Sequence, residues 1–201
     1  MSGTTMQEKP APALAALEDR ELMRLALEDP SGPPFHALYD RHKGLVFRYH
    51  LRLVGDRALA EDLMQDTFLR IYERLDRFDH ERPFRPWLVQ IARNTALNAL
   101  RSRKKKERSA SDSLPERPAS DRLQAQVIAG EARSHVHEAL ASLEDEERAL
   151  LVDRVGLGMK LGEIAESLGC TERTVRNRLD AAIEHLTRAL LGRKEETRDG
   201  L

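Results

Sequence analysis

"LGEIAESLGCTERTVRNRLDAAIEHL", residues 161–186, is the stretch on which the fold turns. Ile164, Ala165 and Leu168 recur at helical spacing, so they share the inner face of one helix. Gly169 follows where the chain must reverse, and glycine enters the left-handed region at little steric cost. Thr171 then stands where a short hydroxyl can accept a backbone N–H and start a second helix. Val175, Leu179, Ala182, Ile183 and Leu186 are expected to bury that helix, and the small Ala165 lets the pair approach closely. Two short helices around a glycine turn make a helix-turn-helix. The second helix turns Glu172, Arg173, Arg176 and Asn177 outward near its start. Arg and Asn can form paired hydrogen bonds with base edges, so this face suits the major groove of DNA. The plainer reading is a helical hairpin with a solvated basic face; the turn, the packing residues and the polar face together favour DNA. Cys170 reads as a small apolar residue of the turn rather than a redox switch.

Upstream, the chain is a succession of further helices. From Glu21 the pattern is helical, with Leu22, Leu25 and Ala26 on one face, until "EDPSGPP" breaks it. A second helix starts near Phe35, with Leu38, Leu45, Phe47 and Leu51 at its apolar positions, and "VGD" ends it. "RALAEDLMQDTFLRIYERL", residues 57–75, is strongly amphipathic, with Ala60, Met64, Phe68, Ile71 and Leu75 spaced by four, four, three and four. After the loop "DRFDHERPF" a fourth helix begins near Arg85 or Pro86, Pro being tolerated in a first turn. It directs Leu88, Ile91, Ala92, Thr95 and Ala99 inward. Residues 104–120, "KKKERSASDSLPERPAS", have the Ser, Pro and charge content of a linker. Periodicity returns at Leu123, Val127 and Ile128 and continues to Leu143. The expectation is an all-α chain of two small helical domains joined by a flexible linker, the second a helix-turn-helix. Residues 1–18 should be disordered, 19–103 the first domain, 104–120 the linker, 121–191 the second domain and 192–201 a tail.

Charge is unevenly placed. The whole chain carries a formal −1, yet residues 35–108 hold 17 basic and 10 acidic side chains while residues 109–201 hold 13 and 18. A local positive field orients any nucleic-acid contact instead of making it indiscriminate. The single cysteine forbids an intramolecular disulfide and suggests a reducing compartment. No apolar run approaches membrane-spanning length and no signal-peptide pattern opens the chain, so a cytoplasmic protein without membrane insertion is expected. No cofactor is expected. "HVH" at 135–137 is a poor metal pair because residues two apart diverge on a helix, and no metal site is expected.

Two faces of the first domain carry chemistry. On the 57–75 helix, Asp62, Gln65 and Asp66 lie off the apolar stripe. An acidic face in a basic domain would avoid phosphate; it suits a basic protein surface, or else is simply solvated. On the fourth helix Gln90, Asn94, Asn98 and Arg101 are spaced four, four and three and so share one stripe. The stripe runs into Arg103, Lys104, Lys105 and Lys106. Phe78, Phe84 and Trp87 sit just before it. Aromatics, amides and a basic track are what extruded bases need, namely a stacking platform, edge readers and backbone neutralisation. The same aromatics could equally be core, and the pattern leaves both open.

The order of these parts resembles a family. "FHALYDRHKGLVFRYHLRLVGDRALAEDLMQDTFLRIYERLDRF" with "FRPWLVQIARNTALNALRSRKKK" is similar to the second conserved region of bacterial sigma factors, and "LASLEDEERALLVDRVGLGMKLGEIAESLGCTERTVRNRL" to their fourth. With nothing substantial between, the chain resembles an extracytoplasmic-function (ECF) sigma factor over roughly residues 20–190. The resemblance implies a non-enzymatic transcription initiation factor that binds core RNA polymerase, directs it to promoter DNA and helps melt it. It implies that Asp62, Gln65 and Asp66 dock on polymerase. It implies that Phe78, Phe84, Trp87, Gln90, Asn94, Asn98 and Arg101, with the basic run from Arg103 to Lys106, serve the minus-ten element. Thr171, Arg173, Thr174, Arg176, Asn177 and Arg178 would then serve the minus-thirty-five element. An anti-sigma factor is the usual regulator in the family. Asp180 and Ala181 depart from it: an aromatic or His and then a basic residue often stand there, and an acid facing phosphate would be repelled. The rival reading is a helix-turn-helix regulator acting without polymerase, which would leave the amide stripe and the acidic face without a role. An enzyme acting on nucleic acid lacks a metal-ligand set, an activated nucleophile and a phosphate loop in this sequence.

Overall fold

The structure is a computed structural model and describes residues 14–110 and 139–196. Among these residues there are helices and turns but no strands. The expected linker from residue 111 to 120, the periodic stretch at Leu123, Val127 and Ile128, and the His135–His137 pair lie outside the described residues.

Helix α1, Asp19–Glu28, begins with Asp19 and Glu21 in its first turn, where acids complement the helix dipole, and buries Leu22, Met23 and Ala26. Helix α2, Pro33–Val54, starts on proline, whose missing N–H would be unpaired there anyway. It ends at Gly55, which takes φ 71° and returns its N–H to the Leu51 carbonyl. Helix α3, Arg57–Tyr72, is capped by the Asp56 carboxylate, which accepts the Leu59 N–H at 3.0 Å. A 3-10 turn, Leu75–Arg77, and a loop lead into α4, Phe84–Ala110. At 27 residues α4 is about 40 Å long.

The second half holds α5, Asp145–Leu151, a turn of π-helix, Val152–Gly156, and the pair α6, Leu161–Leu168, and α7, Glu172–Glu196. In α5 the Glu144 N–H donates to the Glu147 carboxylate, one arm of a capping box.

Three boundaries differ from expectation. Residues 14–18, expected to be disordered, are packed: Leu14 is buried, and Arg41 donates to the Ala15 carbonyl at 2.9 Å and pairs with Asp19 at 2.7 Å. Burial alone would raise the Asp19 carboxyl, but the His42 and Arg41 contacts outweigh it and hold it below the ordinary range. Residues 104–110, expected to open the linker, continue α4. Residues 192–196, assigned to the tail, continue α7.

The two halves share one apolar core. Val46, Tyr49, Leu88 and Ile91 of the first half belong to the same buried cluster as Leu150, Met159, Ile164 and Val175 of the second. Polar contacts seal the seam. Arg148 of α5 donates to the Leu53 carbonyl at 2.8 Å, satisfying one of the orphan acceptors at the α2 C-terminus. Arg52 donates to the Gly156 carbonyl at 2.8 Å and Arg85 to the Leu157 carbonyl at 2.5 Å, so two cations of the first half close carbonyls at the end of the π turn and just after it.

Candidate nucleic-acid interface

Helix α4 has two working sides. Leu88, Ile91, Ala92, Thr95 and Ala96 are buried, which fixes the helix's rotation and leaves Asn94 and Asn98 exposed on the outer side, with Gln90 half-buried beside them. Four residues per step keep these amides in line. The line continues to Arg101, Arg103, Lys104, Lys105 and Lys106, all exposed. Arg101 and Lys104 are engaged from the second half: Arg101 meets Glu146 at 2.6 Å and Lys104 meets Asp145 at 2.8 Å.

The aromatics resolve as core. Phe78 and Phe84 are 4% and 3% exposed, with ring centroids 5.8 Å apart, and Trp87 lies 5.2 Å from Phe78 and 5.9 Å from Phe84. His42 closes on Phe84 at 5.2 Å and His80 on Phe78 at 5.1 Å. In this conformation Phe78 and Phe84 are therefore not the exposed stacking platform the sequence pattern allowed; the apolar rings gain more from one another than from solvent. Trp87 is half-buried and borders a cleft of about 150 Å³ shared with Arg82, Gln90, Glu166 and Ser167. That cleft, between the loop and α6, is the space left beside the amide stripe.

The helix-turn-helix follows its sequence signals closely. Gly169 takes φ 61° and donates to the Glu166 carbonyl at 3.2 Å, while the Cys170 N–H donates to the Ala165 carbonyl at 3.0 Å. This pair of bonds is the Schellman arrangement, and it requires the left-handed residue the sequence supplies. The Thr171 hydroxyl accepts the Thr174 N–H at 3.2 Å, and the two hydroxyls lie 2.9 Å apart. Val175, Leu179 and Ala182 are buried, and Ile164 and Ala165 face them. Arg173, Arg176, Asn177 and Arg178 project outward, as does Asp180, while Thr174 is half-buried. Cys170 is half-buried against the core and unpaired by any disulfide. Ile183 departs from expectation: it is 50% exposed. The buried face of α7 runs through Val175, Leu179 and Ala182 to the half-buried Leu186, which packs against the core, and Ile183 falls to the side of it.

The acidic face of α3 holds more than the sequence reading assigned to it. Asp62 and Gln65 are exposed, and Asp66 is half-buried in a 3.1 Å pair with Arg70. Leu69 and Tyr72, at 55% and 42% exposure, continue the same side at spacings of four and three from Gln65. They fall off the buried stripe, which was the available signal. Apolar groups ringed by acids are what a protein-binding surface presents. Among the described residues no cluster of His, Cys, Asp and Glu could hold a metal ion, and no helix is long and apolar enough to cross a membrane.

Comparison with known proteins gives these parts a family. Residues 38–106 match the model for sigma-70 region 2, and residues 134–186 match that for sigma-70 region 4. The chain is 36% identical over 154 residues to the ECF RNA polymerase sigma factor SigL of Mycobacterium tuberculosis, covering 75% of this chain and 85% of SigL. It is 34% identical over 161 residues to the RNA polymerase sigma factor CarQ of Myxococcus xanthus, covering 80% and 91%. Among solved structures it is similar to CnrH in complex with the cytosolic domain of CnrY, with a TM-score of 0.62, 26% identity and coverage of 87% and 97%. A chain whose described residues form helices and turns, with an amide-and-basic helix, an acidic face and a helix-turn-helix, aligned over three quarters or more of its length with these relatives, belongs to the ECF RNA polymerase sigma factors.

Proposed function

We propose that this transcription initiation factor divides its work among the three surfaces described above. Asp62, Gln65 and Asp66 on α3, joined by Leu69 and Tyr72, bind core RNA polymerase. Asn94 and Asn98, with Gln90, read bases of the minus-ten element, and the track from Arg101 to Lys106 holds the adjacent backbone. The start of α7 reads the minus-thirty-five element through Arg173, Arg176, Asn177 and Arg178, while Thr171 and Thr174 shape the helix start that approaches the phosphates. Phe78, Phe84 and Trp87 support the amide stripe from beneath, and any stacking on an extruded base requires the cluster to open.

The observation that carries this reading is the exposure of Asn94 and Asn98 in line with the basic track, on a chain with both sigma regions. The protein acts as a binding factor without catalysis of its own, and it works in the cytoplasm beside the polymerase. CnrH was solved bound to another protein, which supports a protein regulator here as well, of the anti-sigma kind.

Run-off transcription with core polymerase on a promoter library tests the reading. The expected result is a complex with core and selection of discrete start sites. Failure of both would return the chain to a helix-turn-helix regulator that acts alone.

A further inference from the structure

The outer side of α7 has a centre and two flanks. Val175, Leu179 and Ala182 are buried and mark the side turned to the core. At about 100° per residue, the exposed Arg173, Asn177 and Asp180 stand about 130–170° around the axis from that stripe. Arg176 and Arg178 stand about 90° and 70° from it, on opposite flanks. Arg178 and Ala181 accordingly border the groove that α7 forms with Arg93, Leu97 and Glu146. Along the axis Arg173 and Asp180 are about 10 Å apart, so both fit within a major groove about 12 Å wide.

Asp180 is exposed, and its side chain meets no cation or hydrogen-bond donor among the described residues. The next acid on the same line, Glu184, is held by Arg188 at 3.0 Å. Orientation explains the difference. An acid four residues before a base pairs well along a helix, and Arg176 with Asp180 has the reverse order. Asp180 thus keeps a free carboxylate at the centre of the outer face, between the start of the helix and an acid that is already neutralised.

We propose that Asp180 is a specificity-determining residue, whose carboxylate accepts a hydrogen bond from the N4 amine of a cytosine in the minus-thirty-five element. The role rests on the reading of α7 as the helix that enters the major groove there. A helix laid with its buried stripe away from DNA points its outer centre at the groove floor and its flanks at the phosphate walls. Arginine side chains are long enough to reach base or backbone from the flanks. A short carboxylate on a flank would meet phosphate and be repelled; at the centre it meets base edges. An ionised carboxylate can only accept. Guanine offers it two acceptors in the major groove, and thymine an acceptor and a methyl group. Adenine offers an amine, but with the N7 acceptor beside it. Cytosine offers its amine with no acceptor alongside, so cytosine is the base Asp180 selects.

Promoters randomised across the upstream element, transcribed by the full chain with core polymerase and counted by sequencing, test the assignment. The expected result is one upstream position at which cytosine is favoured about tenfold over the other bases. Asp180→Ala should flatten that position and leave the others unchanged. Asp180→Asn should move it toward adenine, whose amine and N7 match the acceptor and donor of an amide. Glu184→Gln makes the same charge change one turn further on and should leave every base preference as in the wild type. Circular dichroism checks that the variants, all at exposed sites, keep their helix. A wild type with no cytosine-favouring upstream position overturns the proposal. So does an Asp180→Ala protein that uses all sequences better and alike, which is what an acid that only repels phosphate would give. Arg173→Ala separates this role from the reading of α7. If it relaxes upstream preference while the Asp180 variants do not, the role of Asp180 alone falls. If none of them moves upstream preference, α7 is not the reading helix and both fall.

Discussion

Arg93 of α4 and Asp153 of the π turn form an ion pair with both side chains out of solvent, at 4% and 0% exposure, and it crosses between regions separated by the whole linker. Removing one member strands a charge in the interior. Asp153→Asn or Arg93→Ala should each lower stability by about 3–5 kcal/mol in urea denaturation, whereas Arg93→Met with Asp153→Leu should leave it unchanged or raise it. A double variant as unstable as the singles would show that the pair holds more than its own charge.

Asn94→Ala and Asn98→Ala should each relax base preference in the polymerase complex by about 1–3 kcal/mol, with the salt slope unchanged, because each removes one side chain's hydrogen bonds to a base edge. Neutralising Lys104, Lys105 and Lys106 to Gln should weaken all sequences alike and flatten the slope by roughly 0.9 for each phosphate no longer neutralised. Competition binding against scrambled promoters separates them. The division of labour fails if the lysine variant changes preference while the asparagine variants do not.

On α3, Tyr72→Ala and Asp62→Lys should each weaken binding to core polymerase about tenfold or more, because exposed aromatics within a charged rim dominate such surfaces. Promoter preference of whatever complex forms should not move. A titration of labelled protein with core measures the first effect, and footprinting measures the second.

His50 is wholly buried, and its Nε2 lies 2.9 Å from the Thr67 hydroxyl. That hydroxyl donates to the Leu63 carbonyl at 2.7 Å, so it can only accept from His50, which fixes the proton on Nε2. Burial pulls the imidazole down to about 4. The folded value lies below the unfolded one, so the unfolded chain takes up the proton first. The contribution is complete above about pH 6.5 and is lost as pH falls to about 4, amounting to roughly 3 kcal/mol. Urea midpoints across that range should fall in the wild type and fall less in His50→Gln.

Local signals in the sequence governed the parts whose physics is local. Gly169 and Thr171 marked the turn because a left-handed residue and a hydroxyl cap act on their nearest neighbours. Asn94 and Asn98 were legible as one exposed stripe because helical periodicity alone aligns them. Leu69 and Tyr72 were within reach as well, since they interrupt the polar side of α3, but a stripe drawn for the core passes over them.

The fate of side chains with two possible homes was settled elsewhere. Phe78 and Phe84 stand in a loop and a first helical turn, and only the convergence of His42, His80 and Trp87 makes them core. Arg101 and Lys104 look like solvated cations in sequence, and their acids arrive from residues about 40 positions later. By itself the sequence determined an all-α chain, its helix-turn-helix and the residues on each helical face, because periodicity, caps and turns act over a few residues. The tertiary structure alone decided that the two halves share a core and that acids of one cover cations of the other. Those pairings depend on charges and apolar surfaces brought together across a linker, and nothing in local spacing encodes which of them meet.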